Sequence, residues 1–269
     1  MSRKKTIILV SILAYAVIMV LALTLNIIPF FKNQKEMKAE EASAKQLVEK
    51  INEPDIVKQP AEQALNVVTI SPTPEKEFVV LEKYKQMLDT YPDVVGKVKI
   101  DDTNIDYMVV QTIDNEYYLD KDYDKNKSKS GAIYMDYGSK VDELSENLKG
   151  NIVLYGHNMK VGTMFHNLRY YMDEDYAKKH NIIQFDTLGE DLKWEVFSVY
   201  NETAVNGCIG NDTVFSNDDG FEALKDELIK KSKIDMGINS VDGESILTLI
   251  TCDYSFDDGR LFVHAKLVE

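Results

Sequence analysis

The stretch that most constrains this chain runs from Ile246 to Val268. Ile246-Leu247-Thr248-Leu249-Ile250-Thr251 is rich in β-branched and apolar residues, the composition of a buried strand, and it delivers Cys252 at its C-terminal end. Asp257, Asp258 and Gly259 supply a turn. Leu261, Val263, Ala265 and Leu267 then alternate with Arg260, Phe262, His264 and Lys266, the period of two that a second strand requires. Two strands joined by a tight turn lie antiparallel, which brings Cys252 close in space to Arg260, eight residues on. A guanidinium beside a thiol favours the thiolate, and its planar fork of donors can hold a developing oxyanion.

A cysteine nucleophile also needs a proton acceptor. The chain has four histidines, His157, His166, His180 and His264. His157 ends the short apolar strand Asn151-Ile152-Val153-Leu154-Tyr155-Gly156, so it too stands at a strand end. His166 and His180 fall in a stretch that reads as a surface helix, and His264 reads as a packed ring in mid-strand.

Short strands dominate from Val94 onward: 94–100, 107–111, 132–136, 151–155, 182–186, 192–200, 245–251 and 261–268. Eight strands with turns between them point to a closed barrel or a sandwich, mainly β, with helical insertions over 162–179 and 220–231. An amphipathic helix is expected over 75–90, at the edge of the domain.

The amino-terminal part differs in kind. Residues Thr6 to Phe31 carry no charge, and 26 such residues in a helix exceed the thickness of a bilayer core of about 30 Å. A cleaved signal peptide has a shorter apolar region and a small-x-small site, so an uncleaved transmembrane anchor over 6–31 is expected. Arg3, Lys4 and Lys5 place residues 1–5 in the cytoplasm and the remainder outside, in a single pass. Asn33 to Asn52 reads as an exposed helix. Four of the six prolines then fall between Pro54 and Pro74, so 32–74 is a helix and proline-rich linker, and 75–269 is the catalytic domain. With 45 acidic against 31 basic residues, net charge −14, nothing resembles a basic patch for nucleic acid.

Several signatures now come together. Leu154-Tyr155-Gly156-His157, Thr248-Leu249-Ile250-Thr251-Cys252 and Arg260 resemble the His, Cys and Arg motifs of sortases. Asp114-Asn115-Glu116-Tyr117-Tyr118-Leu119, Gly131-Ala132-Ile133-Tyr134-Met135-Asp136-Tyr137 and Gly162-Thr163-Met164-Phe165 are similar to class B in particular, and the likeness runs from about Tyr91 to the C-terminus. The resemblance implies an eight-stranded sortase barrel, with one helix between the sixth and seventh strands. It implies that a sorting signal of an exported protein, of the Asn/Ser-Pro-x-Thr type, is cut after Thr. The intermediate is a thioester on Cys252, passed to an amino group of the cell wall, in peptidoglycan or its lipid-linked precursor. His157 and Arg260 are its catalytic partners, and no cofactor or metal is implied. By the same resemblance the substrate-binding positions are Asn115, Leu119, Cys208, Ile209, Thr251 and Asp253. Cys208 departs from an aromatic residue that occurs in relatives, and Asp253 from a glutamate.

Other readings stay open at this point. Cys208 and Cys252 could form a structural disulfide in an exported domain, which would disable a Cys252 nucleophile. Asn206-Gly207-Cys208-Ile209-Gly210 faintly resembles the cysteine signature of L,D-transpeptidases, with Val205 and Gly210 in place of its serine and arginine. An anchored β-domain that binds a ligand, with Cys252 inert, is the non-enzymatic alternative. Metal ligation lacks a motif, since no His-x-x-x-His or Cys-x-x-Cys pair occurs.

Overall fold

In a computed structural model of the chain, residues 3–52, 79–141, 150–204, 213, 218–243 and 245–268 are described. Eight strands are present: β1 (Val94–Lys99), β2 (Asp106–Val110), β3 (Ile133–Met135), β4 (Gly150–Tyr155), β5 (Ile182–Thr187), β6 (Lys193–Thr203), β7 (Ser245–Asp253) and β8 (Gly259–Leu267). They close into a barrel in the order β1-β2-β3-β4-β7-β8-β6-β5. Closure removes the unpaired edges that a sheet otherwise exposes. Pairing is antiparallel except for β2 with β3 and β4 with β7, which run parallel. The parallel pairs set the chemistry, because parallel neighbours finish at the same edge of the sheet.

Alternation explains the core. In β1 and β5 burial alternates residue by residue, whereas β4 and β7 are buried on both faces along most of their length. Val98, Leu249, Leu261, Val263 and Trp194 fill the interior. A second apolar cluster lies on the outer face of β4, β6, β7 and β8, where Val153, Tyr200, Ile250 and Phe262 meet helix α4 (Asp218–Lys231). Phe221, Leu224 and Leu228 present one stripe of that helix at helical spacing.

The hairpin is longer than its apolar residues suggest. Strand β7 continues through Cys252 to Asp253, and β8 starts at Gly259, because Cys252 pairs with Arg260 and Asp253 with Gly259. The helix expected over 162–179 divides into a 3₁₀ segment, Phe165–Met172, and helix α3, Glu174–Lys179. Asp173 interrupts it, since its side chain accepts the Tyr176 N–H at 2.9 Å and caps a new helix. His180 is not on the surface: it is buried, with Nδ1 2.9 Å from the carbonyl oxygen of Tyr176. The helix expected over 75–90 is shorter, α2, Glu82–Leu88, after an extended Leu81 whose N–H donates to Leu188 at 2.8 Å.

The amino-terminal helix α1 runs Arg3–Asn52. The chain divides into two compact units, Met1–Glu40 and Glu41–Glu269. The last turns of α1 therefore belong to the barrel unit, and they are not exposed: Ala44, Leu47, Val48 and Ile51 are buried in its main core. Their spacing of three and four residues makes one apolar stripe, although Lys and Glu around it give the segment a polar composition. The side chains of residues 6–26, most of the expected anchor, lie outside the description, as do residues 53–78 with the proline-rich linker. Among the described residues, no helix is long and apolar enough to cross a membrane.

Candidate active site

Three ladders place the site. Strand β8 sets Arg260 directly opposite Cys252. Directly paired residues of an antiparallel ladder share a face, so thiol and guanidinium leave the sheet on the same, outer side. Strand β4 sets Tyr155 beside Ile250 in parallel register. Past the ladder the chain runs through Gly156 and His157 to Asn158, whose amide donates to the Cys252 carbonyl oxygen at 2.9 Å, so His157 stands at the same sheet edge as Cys252. The junction is fastened beyond the ladder. The Thr251 hydroxyl donates to the carbonyl oxygen of Gly156 at 2.8 Å, and the Gly156 N–H donates to Ile250 at 3.2 Å. Gly156 is required here for space: a Cβ would come within 2.4 Å of Ile133 and 2.7 Å of the Phe165 ring.

Cys252 is a free thiol, half-buried at the end of β7. His157 lies with Nε2 2.8 Å from the carbonyl oxygen of Leu119. A carbonyl only accepts, so Nε2 carries a proton and the lone pair of a neutral ring is on Nδ1. Arg260 donates to Asp258 at 3.0 Å and to the carbonyl oxygen of Gly259 at 3.0 Å. Tyr134 stands within electrostatic reach of both Cys252 and Arg260. Burial, and after it the nearby Asp136, push its phenol up to about 12, so it is a neutral donor at neutral pH.

The other expected positions fall around this edge. Asn115 donates to Asp136 at 2.7 Å and accepts the Tyr137 N–H at 3.0 Å, while the Tyr155 hydroxyl donates to the same Asp136 oxygen at 2.8 Å. Leu119 is exposed and offers its carbonyl to His157. Thr251 and Asp253 alternate to the opposite face of β7 from Cys252. Asp253 accepts from Asn201 there, and from the Ser255 N–H at 2.9 Å. Burial opposes its charge, yet those hydrogen bonds outweigh it and hold the carboxyl below the usual range. Cys208 and Ile209 lie outside the described residues.

A cleft of about 430 Å³ adjoins Cys252, lined among others by Asn158, Arg169, Asn201, Asp253 and Tyr254. Asn158 is buried and was not singled out from sequence, although it directly follows His157. Its amide donates to the carbonyl oxygen of Cys252 at 2.9 Å, and its own oxygen lies 2.9 Å from Nδ1 of His166. Glu202, opposite Arg260 on the β6–β8 ladder, was also missed, because no local pattern marks it; Asp258 was read only as a turn residue. Among the described residues, no cluster of His, Cys, Asp or Glu could hold a metal ion.

The sequence pattern of the sortase domain matches residues 98–268. Sortase B of Staphylococcus aureus is 33% identical over 195 residues, which cover 72% of this chain and 75% of that protein. The crystal structure of sortase B from B. anthracis in complex with AAEK2 superposes with a TM-score of 0.67 at 33% identity, covering 89% of this chain and 97% of the other. The Staphylococcus aureus sortase B–substrate complex gives 0.69 at 28% identity, covering 87% and 99%. A thiol, an imidazole and a guanidinium gathered on one barrel edge are thus found within a match that spans most of the chain on both sequence and fold, and the chain belongs to the sortases, as a sortase B, a cysteine transpeptidase.

Proposed function

We propose that Cys252 is the nucleophile of a transpeptidase that cuts a sorting signal of the Asn/Ser-Pro-x-Thr type after Thr. The observation that carries this reading is the double register around β7, with Arg260 opposite Cys252 and the parallel β4 ladder ending two residues before His157. The Cys252 thiolate attacks the threonyl carbonyl carbon, and Arg260 stabilises the tetrahedral oxyanion. The C–N bond breaks, and His157 gives a proton to the departing amine. A thioester remains. An amine of the cell wall, in peptidoglycan or its lipid-linked precursor, loses a proton to His157 and attacks that thioester. The C–S bond breaks, the Cys252 thiolate is restored, and the amine's proton is left on His157. Nδ1 exchanges these protons, while Nε2–H stays on the carbonyl oxygen of Leu119.

The peptide lies on the outer face, against Asn115 and Leu119, with Cys208 and Ile209 as further proposed contacts. Thr251 and Asp253 act from behind, through the bonds that hold the end of β7. The cleft beside Cys252 has room for the acceptor. Residues 6–31 anchor the chain in the cell membrane, with residues 1–5 inside and the barrel outside.

The test is a cleavage and transfer assay with a fluorogenic sorting peptide and a glycine-based amine, with trapping of the acyl-enzyme by mass spectrometry. An adduct on Cys252, absent from Cys252→Ala, is expected, and Cys208→Ala should keep most of the activity. An adduct on Cys208 that persists in Cys252→Ala would overturn the reading in favour of an L,D-transpeptidase.

A further inference from the structure

The outer face of the sheet is laid out in rows across β7, β8 and β6. Thr248, His264 and Ser198 make one row; Ile250, Phe262 and Tyr200 the next; Cys252, Arg260 and Glu202 the last. The inner rows are filled. Thr248 lies 2.8 Å from Nδ1 of His264, and the Tyr200 and Phe262 rings stack at 5.0 Å. The last row is unfinished. Glu202 places Oε2 on Lys231, at the end of α4, while Oε1 is buried without a hydrogen-bond partner. Directly opposite that orphan oxygen, Arg260 turns away to Asp258. A buried acceptor left unpaired costs free energy, and a guanidinium has five N–H donors, more than Asp258 and one carbonyl use.

We propose that Glu202 is the positioning residue for Arg260, in a row that reads nucleophile, oxyanion donor, orienting carboxylate. With a peptide in the groove, Arg260 leaves Asp258. One arm of its fork then donates to Glu202 Oε1, and the other faces the carbonyl oxygen over Cys252. The proposal rests on the roles given above to Cys252 and Arg260. Asp258 is the competing partner, and the weaker one. Its side chain is 47% exposed, so water screens its pair with Arg260, whereas the side chain of Glu202 is 23% exposed. Lys231 ties the second Glu202 oxygen to the end of α4 and leaves Oε1 facing the row.

Three variants of the full-length chain test this: Glu202→Gln, Asp258→Asn and Lys231→Met. Two readouts are taken, single-turnover acylation by an Asn-Pro-x-Thr peptide and the pH dependence of Cys252 alkylation by iodoacetamide. Glu202→Gln should slow acylation about 10- to 100-fold with KM nearly unchanged, the size of a misplaced donor. Asp258→Asn and Lys231→Met should acylate within about threefold of the parent chain, as expected of groups that do not aim the donor. The alkylation profile separates aim from charge. Removing either anion by simple electrostatics lowers the pH at which Cys252 ionises. With no peptide Arg260 rests on Asp258, so aiming predicts the larger fall for Asp258→Asn, which also frees the guanidinium toward the thiol, and a larger fall in Glu202→Gln would overturn it.

Parent-like acylation by Glu202→Gln would overturn the proposal, and so would an equal loss in Lys231→Met, which would mark the Lys231–Glu202 pair as a mere tie to α4. If Glu202→Gln fails to fold, Glu202→Asp takes its place, with acylation slowed and KM kept as the supporting result and parent-like acylation as the overturning one. Should the parent chain form no adduct on Cys252, the proposed function fails instead. The alkylation profiles would still decide where Arg260 is held.

Discussion

Asn158 and Cys252 are joined by a 2.9 Å hydrogen bond from the Asn158 amide to the cysteine's own carbonyl oxygen. The bond ties the residue after His157 to the end of β7, so it fixes the spacing of imidazole and thiol through the backbone. His166 holds the other side of the amide at 2.9 Å. Because Asn158 spends its N–H on Cys252, its oxygen must accept, and His166 Nδ1 carries the proton.

Replacing Asn158 by Leu removes the amide that the Cys252 carbonyl and His166 share, inside a buried position. A destabilisation of about 1–3 kcal/mol is expected, with a fall in kcat larger than any change in KM. Thermal melts together with steady-state kinetics check this. A variant with parent kcat would show that the bond is only structural.

Arg260→Lys keeps the charge opposite Cys252 but loses the planar fork. Turnover should drop about 100- to 1000-fold, the usual cost of one oxyanion donor, while peptide affinity changes little. The check is kcat and KM measured separately. Parent-like turnover would reduce the arginine to an electrostatic neighbour of the thiol.

His264 sets an acid limit on the fold. It is fully buried, its Nδ1–H faces Thr248 at 2.8 Å, and Nε2 is a buried acceptor without a partner. Burial, followed by the nearby Lys231, lowers its pKa to about 3. Between there and the ordinary value near 6.5 the unfolded chain binds the proton and the folded chain does not. Stability therefore falls as the pH drops through that window, and the loss levels off below about 3. Melting curves from pH 7 to pH 4 should show this slope, and His264→Phe, which keeps the ring against Phe262 and Tyr200, should flatten it.

Much of this was legible in the sequence, for reasons of range. The β7–β8 hairpin announces itself because alternation and turn lie within one short stretch, and it fixes Cys252 against Arg260. His157 was found through its strand end, but its place beside Cys252 depends on the parallel pairing of Gly150–Tyr155 with Ser245–Ile250, which no local pattern marks. Asn158 and Glu202 were invisible for the same reason: one polar residue acquires a role only through a distant partner. The buried end of α1 is a different failure. The Ala44, Leu47, Val48 and Ile51 stripe is in the sequence, but averaging over 33–52 dissolves it among Lys and Glu.

That stripe predicts that the smallest working chain starts at Glu41 rather than Glu75. Leu47, Val48 and Ile51 bury their side chains in the main core, worth about 1.5–3 kcal/mol each. Glu41 adds a polar tie. Tyr107 donates to its carboxylate, 2.6 Å from both oxygens, and accepts the N–H of Met164 at 2.9 Å. Met164 has a φ of +58°, a conformation that a side chain resists, so something must hold it. Its neighbour Phe165 donates to the carbonyl oxygen of His157 at 2.9 Å, so the column from Glu41 through Tyr107 ends on the backbone of the proposed acid–base residue. A chain that starts at Glu41 should keep the parent melting temperature and transfer rate. One that starts at Glu75 should melt at least 10 °C lower, as a loss of several kcal/mol implies for a domain of this size, and transfer poorly. Tyr107→Phe in the full chain isolates the column from the packing: kcat should fall about tenfold with KM unchanged, the mark of a displaced group rather than an unfolded domain. Equal melting temperatures for the two truncated chains would refute the burial argument, and parent kcat in Tyr107→Phe would refute the column.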